Sequence, residues 1–447
     1  MFIRSTDLPP SQIAGFLSRF DDFSWIDSAD GRGFSIMAFN SSRQAVFSQQ
    51  TPPQLFLQFL NNLPFGNIKP LKDHGLFFAG GWIGFLCYES FLFNPLIPFS
   101  PSRYKPYPLA ALRYYDTFFY VDHENKTTRF VSLEPDAETK WVTLQKKISD
   151  YKPHFFLEDS PAPCVTSHFE ANLSKEEYKK KFDHIKAAIF RGDYFELNFS
   201  IEFHTFFPQD PFLLYNTLRN ITKSPMMSFL SFPGLKILSS SPERFFSIDG
   251  RDITTLPIKG TIARGSSPEN DALNKTALLQ SAKDRAELMM VTDMLRNDLG
   301  RICETGSVDT RQLAQIATFS HYHHLYSEIT GTLKLDSSLQ TVFQSLFPGG
   351  SITGAPKIQV MKHINQIEER ARGVYTGAIG FISNNGKVDF NIPIRTITVC
   401  QDQISFATGG GIVADSGAEE EYHECLIKAA GIFEAIKGFG GQKNNRC

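Results

Sequence analysis

The sequence predicts an α+β protein with mostly antiparallel strands, and three observations support this fold class. Many short segments are rich in β-branched and aromatic residues or alternate apolar with polar side chains, as strands do. A smaller number of longer segments repeat apolar residues every three or four positions, as amphipathic helices do. The first third of the chain is β-rich, whereas the remainder mixes strands with long helices, which favours α+β.

The first part of the chain contains three segments of strand type, separated by polar or proline-containing stretches. They are "FSIMAF", "LFFAGGWIGFLCY" and "RYYDTFFYVDH". Residues 1–150 are therefore predicted to form a β-rich N-terminal region. The stretch "EDSPAPCVTS" that follows has two prolines and few periodic apolar positions, which indicates a linker before a second region at 165–440.

The second region opens with a clearly marked helix. Ser174 and Glu177 form a capping box at its start, and Gly192 is a natural stop. Further strands are predicted in "YFELNFSIEF", "KILSSS" and "ISFATGGG", and long helices near 271–298, 355–370 and 418–437. The apolar residues on one face of the first helix are Tyr178, Phe182, Ile185 and Ile189.

Composition narrows the class of protein. Of 447 residues, 42% are hydrophobic and 21% are charged, so a large folded core in two or three domains, or in one large one, is feasible. The net charge of −2 argues against broad electrostatic binding to nucleic acid or to an anionic membrane. Six widely spaced cysteines without a CxxC pair indicate a reduced, cytoplasmic protein. No signal-peptide core and no uninterrupted membrane span is found.

Lys259, in the stretch "LPIKGTIARG", has two interpretations. The residues before it are typical of a strand, and Gly260 is expected to break that strand, which places Lys259 at its end. Most lysines at strand ends are solvated. The alternative is a buried amine that takes part in chemistry.

The predicted C-terminal helix places carboxylates together. Glu421, Glu424 and Lys428 share one face, and two carboxylates suit a hard cation such as Mg²⁺. A solvated face with ion pairs is the simpler alternative. Glu287 lies among apolar neighbours in another predicted helix, where pairing with another charge is the default expectation for a buried carboxylate.

Other polar residues in apolar surroundings extend the set of candidates. "FPGGSITGAPK" and "ATGGGIVADSG" lack the contexts of nucleotide-binding loops, so nucleotide binding is disfavoured, although N–H groups near Gly409 could hold a carboxylate and tight turns are the alternative. Arg395, in a predicted strand, suits a bidentate carboxylate contact, and Tyr375 offers a hydroxyl. The histidines 321, 323 and 324 fit either a metal site or, more simply, a neutral polar role in a cleft.

In combination, these stretches resemble the chorismate-utilising enzymes over nearly the whole chain, most strongly from 174 to 437. The joint occurrence of the motifs in this order is specific. The resemblance implies the anthranilate synthase-type fold, layered α/β/β/α with two large mostly antiparallel sheets packed on each other, and a chorismate-binding catalytic region at 165–440. The motifs are "FAGGWIGFLCYE", "GDYFELNFS", "SSSPERFF", "PIKGT", "AELMMVTDMLRNDLG", "FPGGSITGAPK", "RGVYTGAIG", "IRT", "GGGIVADS" and "EYHECLIKA".

Within that family Lys259 marks the branch that makes 4-amino-4-deoxychorismate, where the lysine acts as a covalent nucleophile. The anthranilate-forming branch, which is the alternative, usually has alanine there. The isochorismate-forming branch has a lysine at the position of Glu196, so hydration of chorismate is not expected. Many relatives have glutamine at that position, and the carboxylate of Glu196 has two interpretations: it supports Lys259 as a cation, which opposes nucleophilic attack, or it positions ammonia. A third possibility, a non-catalytic relative that binds an aromatic acid, predicts loss of the acid, metal and nucleophile positions, all of which are present.

The resemblance also implies the site residues. Lys259, Glu243 and His324 are the catalytic residues, with Glu243 as general acid, and Glu287 and Glu424 hold Mg²⁺ with Glu421 close by. Ser28 is expected to line a tryptophan pocket. The expected substrate contacts are Thr261, Tyr375, Arg395, Gly410, Gly411 and Lys428.

The resemblance further implies a reaction in 4-aminobenzoate and folate synthesis. Lys259 is expected to attack C2 of chorismate as the C4 oxygen leaves, and ammonia then adds at C4. A nucleophilic lysine must be neutral, which burial away from carboxylates favours. No cysteine lies in the Gly-x-Cys-x-Gly context of a glutaminase, so ammonia is expected from a separate glutamine amidotransferase subunit in a heterodimer.

Overall fold

The computed structural model describes residues 1–63, 65, 75–94, 103–152, 169–319 and 322–439. The predicted linker and His321 lie outside the described residues. The strands are β1 Phe2–Thr6, β2 Ser24–Asp27, β3 Phe34–Ala38, β4 Arg43–Phe47, β5 Gly81–Leu86, β6 Ala110–Tyr115, β7 Thr117–Asp122, β8 Thr127–Ser132, β9 Glu170–Ala171, β10 Glu196–Phe206, β11 Met226–Phe232, β12 Leu235–Ser241, β13 Arg244–Asp249, β14 Asp252–Thr255, β15 Ile258–Ala263, β16 Asp309–Thr318, β17 Tyr322–Thr332, β18 Gly354–Ala355, β19 Ala378–Ser383, β20 Val388–Asn391, β21 Thr396–Cys400 and β22 Gln403–Ile412. The helices are α1 Pro10–Leu17, α2 Pro53–Asn61, α3 Ala137–Asp150, α4 Lys175–Arg191, α5 Pro211–Thr222, α6 Pro268–Gln280, α7 Ala282–Ile302, α8 Leu339–Leu346, α9 Lys357–Glu368 and α10 Ala418–Lys437.

The strands form two large sheets, and each strand pair in the described ranges is antiparallel. The first sheet has the order β1-β8-β7-β3-β2-β11-β12-β21-β22-β10-β18, with β9 also paired to β10. The second has the order β15-β17-β14-β13-β20-β19-β5-β6-β4, with β16 also paired to β17. The predicted α+β class with two large, mostly antiparallel sheets is confirmed.

Apolar clusters hold the layers together. One cluster joins the inner faces of the two sheets, with Ile36 and Phe118 from the first sheet and Phe85 and Phe381 from the second. A second cluster packs α4, α5 and α10 on the outside of the first sheet, and a third packs α2, α7 and α8 on the second. The order is therefore helix, sheet, sheet, helix, which buries one face of each helix and both faces of each sheet.

The N-terminal region contributes to both sheets. Its strands β1–β3, β7 and β8 join the first sheet, and β4–β6 join the second beside β19. Both sheets are thus continuous across the predicted division between residues 1–150 and 165–440, and the division itself stays a prediction. None of the helices in the described ranges combines the length and the apolar composition that crossing a bilayer requires.

Helix boundaries follow local chemistry. In α4 the Ser174 hydroxyl accepts a hydrogen bond from the Glu177 N–H, the Glu177 carboxylate accepts one from the Ser174 N–H, and Gly192 ends the helix with φ of 83°. The single helix predicted near 271–298 is wrong: α6 and α7 are separated at Ser281. The Ser281 hydroxyl caps α7 by accepting from the Asp284 N–H.

Gly260 does not end a strand, as the sequence had indicated. The strand β15 runs on to Ala263 and pairs with β17, with an irregularity in register between Lys259 and Thr261. Gly260 itself has φ of +76°, and a Cβ there would lie 2.9 Å from the Asp284 carboxyl group. Lys259 is therefore fixed inside a paired strand rather than at a loose strand end.

Candidate active site

A single cavity of about 750 Å³ lies between β15, β17 and β22 and the helices α7 and α10. Side chains from the loops after β12 and β20 complete its wall. The residues that sequence resemblance implied for catalysis, substrate contact and metal binding all line this cavity, with the exception of the tryptophan-pocket residue. They are Glu243, Lys259, Thr261, Glu287, His324, Tyr375, Arg395, Gly410, Gly411, Glu421, Glu424 and Lys428.

Lys259 is buried between two carboxylates. Its side chain is 12% exposed, and its Nζ lies 2.6 Å from Glu196 Oε1 and 3.7 Å from Glu287 Oε2. Burial lowers the pKa of Lys259, but the two carboxylates outweigh burial, so the net pKa lies above its usual range. The surroundings therefore favour a cationic lysine, which is one of the two interpretations of Glu196, and the solvated alternative is wrong. In the ligand-free protein Lys259 is a buried ammonium group.

Glu196 faces the cavity because of the alternation of β10. Buried apolar residues such as Leu197 and Phe199 face the outer helices, which turns Glu196 and Asn198 towards the inside. Glu196 is 2% exposed. A Cβ on Gly411 would lie 2.0 Å from Glu196 Oε1, so any other residue at that position of β22 would displace the Glu196 carboxylate. The glycine-rich motif thus makes room for the Lys259–Glu196 pair.

Glu243 follows β12 and is 4% exposed. Burial raises the pKa of Glu243 to about 7, although the Ser351 hydrogen bond and the Lys259 charge oppose that rise. The Ser351 hydroxyl donates to Glu243 Oε1 at 2.7 Å. Ser351 was not predicted as a site residue, although it lies within the motif "FPGGSITGAPK". Near neutral pH, Glu243 is therefore about equally able to hold a proton and to release it.

Three carboxylates form an acidic corner, made of Glu287, Glu421 and Glu424. Burial raises the pKa of Glu287, and its Oε1 is buried without a hydrogen bond in the described part of the structure. The Lys283 ammonium group, which sequence reasoning missed, lies 3.4 Å from Glu421 Oε1 and 3.9 Å from Glu287 Oε1. Lys428 lies 2.7 Å from Glu424 Oε1. The ammonium groups of Lys283 and Lys428 thus partly offset the negative charge of this corner.

The acidic corner suits Mg²⁺ better than a metal ion whose ligands are all protein side chains. Within the described ranges no three His, Cys, Asp or Glu side chains converge closely enough to enclose a metal ion. Mg²⁺ commonly takes one or two carboxylates and completes its shell with water or substrate oxygens. Glu287 Oε1, which has no hydrogen bond among the described residues, is a ligand of that kind. These residues therefore fit Mg²⁺ as the sequence implied, and Mg²⁺ binding stays a prediction.

Arg395 and Tyr375 also line the cavity. Arg395 does not lie in a strand, as the sequence had indicated, but in a bend before β21, with φ of 51°. In this bend the Arg395 side chain lines the cavity. The guanidinium group has no hydrogen bond or ion pair among the described residues and stands 5.3 Å above the ring centroid of Tyr322. Such an uncommitted guanidinium group suits a carboxylate.

The Tyr375 loop is fixed by a buried network that sequence reasoning did not detect. Glu89 accepts hydrogen bonds from the N–H groups of Arg372 at 2.7 Å and Gly373 at 3.0 Å. The Arg372 guanidinium group is paired with Glu368 at 2.8 Å. Because both ion-pair partners are about 1% exposed, the loop that carries Tyr375 is held by charges that have no access to water.

His324 is neutral and held by one nitrogen. Its Nδ1 lies 2.7 Å from the Thr261 hydroxyl oxygen, and its Nε2 has no partner among the described residues. Burial, together with the nearby Arg395 charge, lowers the pKa of His324 to about 3. The histidine therefore offers an uncharged ring nitrogen at neutral pH. The metal alternative for the neighbouring His323 has no support, because Asp271 and Thr318 already contact its two nitrogens.

The stretch from Gly409 to Gly411 is strand rather than tight turn. It pairs with β10 throughout, whereas pairing of β22 with β21 ends at Phe406. Alternate N–H groups beyond Phe406 therefore point away from β10, and no strand within the described ranges pairs with them on that side. Lys428 donates to the Gly409 carbonyl at 3.1 Å, which brings a positive charge to the same edge.

Ser28 lines a separate cavity of about 380 Å³, next to the first. Its hydroxyl donates to Asp30 at 2.9 Å. Pro242 and Ile258 line both cavities, so the wall between the two is thin. Tryptophan binding in this second cavity stays a prediction.

Acidic and basic side chains nearly balance in the main cavity before any ligand enters. Among the described residues, five carboxylic acids, of which Glu243 is partly protonated near neutral pH, line it with four basic residues, which are Lys259, Lys283, Arg395 and Lys428. A ligand with two carboxylates would add negative charge, so a bound cation would offset repulsion. The five carboxylate residues are Glu243, Asp284, Glu287, Glu421 and Glu424.

Comparison with known proteins adds independent information. A model of the family described as "chorismate binding enzyme" matches residues 22–434. The chain is 34% identical over 398 residues to aminodeoxychorismate synthase component 1 of Salmonella typhimurium, covering 89% of this chain and 85% of that protein. It is 30% identical over 437 residues to the component 1 protein of Bacillus subtilis, covering 94% and 89%. Anthranilate synthase component I from Streptococcus pneumoniae superposes with a TM-score of 0.80 at 28% identity, covering 90% and 92%.

Proposed function

This chain belongs to the family of chorismate-binding enzymes, and from that premise we propose that it converts chorismate and ammonia to 4-amino-4-deoxychorismate. The observation that carries the proposal is Lys259 in the same cavity as Glu243 and the acidic corner. A buried amine, a carboxyl group with a raised pKa and a cation site are the three parts that this substitution at C4 requires. The Salmonella typhimurium and Bacillus subtilis relatives, which are named aminodeoxychorismate synthase component 1, support the same branch.

Loss of the C4 hydroxyl needs a proton donor, since hydroxide is a poor leaving group. Glu243 fills this role in the proposal because its pKa of about 7 leaves a large protonated fraction at neutral pH. Ser351 donates to one oxygen of Glu243, which leaves the other oxygen to carry the proton towards the cavity. Protonation and departure of the C4 oxygen then yield water.

Lys259 supplies the electrons that replace the departing oxygen. Its Nζ forms a bond to C2, both ring double bonds shift so that C1=C2 and C5=C6 become C1=C6 and C4=C5, and the C4–O bond breaks as Glu243 gives its proton to oxygen. Ammonia then attacks C4, both double bonds shift back, and the C2–N bond to Lys259 breaks. The nitrogen of the product therefore comes from ammonia, and the lysine is regenerated.

The attack requires a neutral amine, and the chain must generate it. Deprotonation of an ordinary lysine at pH 7 costs about 4–5 kcal/mol, and the carboxylates around Lys259 increase that cost. Glu196, at 2.6 Å, is the group placed to accept the proton as substrate binds. The same proton returns to Lys259 when ammonia displaces it.

Substrate orientation depends on charged groups that line the cavity. Arg395 and Tyr375 are assigned to the enolpyruvyl carboxylate, and the ring carboxylate is assigned to Lys428 and the N–H groups at Gly410 and Gly411. Mg²⁺ would be held by Glu287 and Glu424, with Glu421 close by, and when bound it supplies positive charge beside the ring carboxylate. Thr261 orients His324 beside the ring edge through the 2.7 Å contact.

The ammonia would come from a separate glutamine amidotransferase subunit. The designation of the relatives as component 1 supports a partner component. The product would then enter 4-aminobenzoate and folate synthesis.

A second candidate function is the formation of anthranilate. The structural similarity to the Streptococcus pneumoniae anthranilate synthase component I supports it. Incubation with chorismate, Mg²⁺ and ammonium separates the two functions. The proposed enzyme yields 4-aminobenzoate only after an aminodeoxychorismate lyase is added. Fluorescent anthranilate formed without the lyase would overturn the proposal.

A further inference from the structure

The Arg395 side chain lacks the polar contacts that usually fix a guanidinium group. Its backbone carbonyl accepts hydrogen bonds from the N–H and hydroxyl of Ser240 at 3.1 Å, which anchor the main chain. The guanidinium group itself has neither a hydrogen bond nor an ion pair among the described residues. An arginine free to sample many rotamers loses conformational entropy when it binds an anion. Something else must restrict it if it is to bind a carboxylate efficiently.

Tyr322 is the residue that restricts it. The guanidinium carbon stands 5.3 Å from the Tyr322 ring centroid, within the range of a cation–π contact. Tyr322 is 8% exposed and begins β17, where it pairs with Ala263 of β15. The ring is itself fixed, because the His324 ring lies 4.4 Å away and the Tyr322 hydroxyl lies 3.4 Å from the Ser224 hydroxyl.

The same ring therefore touches two residues of the proposed site. Tyr322 and His324 are two residues apart on one strand and face the same side, towards the cavity. Arg395 reaches the ring from a different element, the bend before β21. Nothing in the proposed reaction requires Tyr322 to touch the reacting atoms, which makes it a positioning residue rather than a catalytic one.

We propose that Tyr322 is a positioning residue that holds the Arg395 guanidinium group in place to receive the carboxylate of the substrate. This inference rests on the proposed function, which assigns a carboxylate to Arg395. The ring, not the hydroxyl, carries the effect, since the guanidinium group contacts the π face. Removal of the ring weakens binding of chorismate and changes turnover little.

The test compares Tyr322→Phe and Tyr322→Leu in the full-length chain with chorismate, Mg²⁺ and ammonium. A cation–π contact of this kind corresponds to a change in KM of about 2- to 30-fold. The Leu variant is expected to raise KM for chorismate within that range at nearly constant kcat, and the Phe variant is expected to restore the wild-type KM. Phe190→Leu is a matched control, because it removes an exposed ring that Lys186 Nζ approaches at 5.2 Å on α4, outside the cavity.

A double-mutant cycle with Arg395→Ala gives the decisive readout. If Tyr322 acts through Arg395, Tyr322→Leu adds no further increase in KM once Arg395 is alanine. An increase of the same size in both backgrounds, or an unchanged KM in Tyr322→Leu, would overturn the inference. Should the Leu variant fail to fold, as judged by thermal melting, Tyr322→Met replaces it in the same cycle.

The outcomes also separate this inference from the proposed function. A wild-type protein that does not consume chorismate overturns both. A wild-type protein that makes 4-amino-4-deoxychorismate while the cycle is additive overturns the role of Tyr322 alone. A wild-type protein that makes anthranilate overturns the proposed reaction, and a coupled cycle would still support the role of Tyr322.

Discussion

Lys259 Nζ lies 2.6 Å from Glu196 Oε1, and both side chains are almost completely withdrawn from water. This pair connects the two sheets, since Lys259 belongs to β15 and Glu196 to β10. A carboxylate this close favours the charged form of the amine, whereas covalent attack needs the neutral form. The pair therefore stabilises the proton on Lys259 Nζ, which the proposed reaction must remove. The pair and the residues around it lead to four predictions.

Replacement of the Glu196 carboxylate is expected to lower the pH at which Lys259 reacts. In Glu196→Gln the amide no longer stabilises the ammonium form, so the pKa of Lys259 falls towards or below its usual value. The rate of adduct formation with chorismate, measured against pH without ammonia, is expected to rise at lower pH than in the wild type. Glu196→Asp, which keeps the charge, is the control. If the dependence of the adduct-formation rate on pH is the same in Glu196→Gln as in the wild type, Glu196 does not control the protonation of Lys259.

Neutralisation of Glu243 is expected to stabilise the fold above pH 7. Its folded pKa of about 7 exceeds the ordinary carboxyl value of 4.5, so this group favours folding below pH 4.5 and the contribution is lost as pH rises through 7. Glu243→Gln removes this dependence and is expected to gain up to about 3 kcal/mol in unfolding free energy at pH 8 over wild type. Activity is expected to fall by about 10²- to 10⁴-fold.

Denaturant unfolding at pH 5 and pH 8 measures the change in stability. Glu434→Gln, which alters an exposed glutamate on α10, is the control and is expected to behave as the wild type. If Glu243→Gln shifts the unfolding free energy equally at both pH values, Glu243 does not have the raised pKa on which its role as proton donor depends.

Removal of Lys283 is expected to strengthen Mg²⁺ binding. Its ammonium group lies 3.4 Å from Glu421 and 3.9 Å from Glu287, where it offsets the charge that would attract a cation. In Lys283→Ala the acidic corner gains net negative charge, so the affinity for Mg²⁺ is expected to rise several-fold. Calorimetric titration with MgCl₂ in the absence of chorismate measures this. Lys437→Ala, at the exposed end of α10, is the control, and equal affinity in both variants would argue against a cation at this corner.

Much of the fold was predictable because its signals are local. The capping box of Ser174 and Glu177 and the stop at Gly192 depend on neighbouring residues alone, and both predicted ends of α4 are correct. The wrong predictions concern places where contacts with distant residues determine where a strand or helix ends. Gly260 looks like a strand breaker, yet pairing with β17 carries the strand past it. Ser281 splits one predicted helix into two by capping the second.

In the candidate site, too, features with local sequence signals were predicted, whereas most contacts between distant residues were not. Sequence motifs predicted Lys259, Glu243 and Glu287 as site residues, and in the structure all three line one cavity. The contact of Lys259 with Glu196, 63 positions away, was one of two alternatives that the family resemblance left open, whereas the contacts of Glu243 and of the Tyr375 loop were not predictable because they join residues far apart in the chain. Ser351 is 108 positions from Glu243, which it contacts. Glu89 anchors the Tyr375 loop from 283 positions away from Arg372, a contact that no local pattern signals.

The central claim, covalent attack by Lys259, is tested most directly by intact-mass spectrometry. Wild-type protein and Lys259→Ala are each mixed with chorismate and Mg²⁺ without ammonia. The account predicts a wild-type species heavier by chorismate less one water, which disappears with release of product when ammonium is added, and no such species in Lys259→Ala. An adduct that persists in Lys259→Ala, or amination at the wild-type rate by that variant, would contradict the claim.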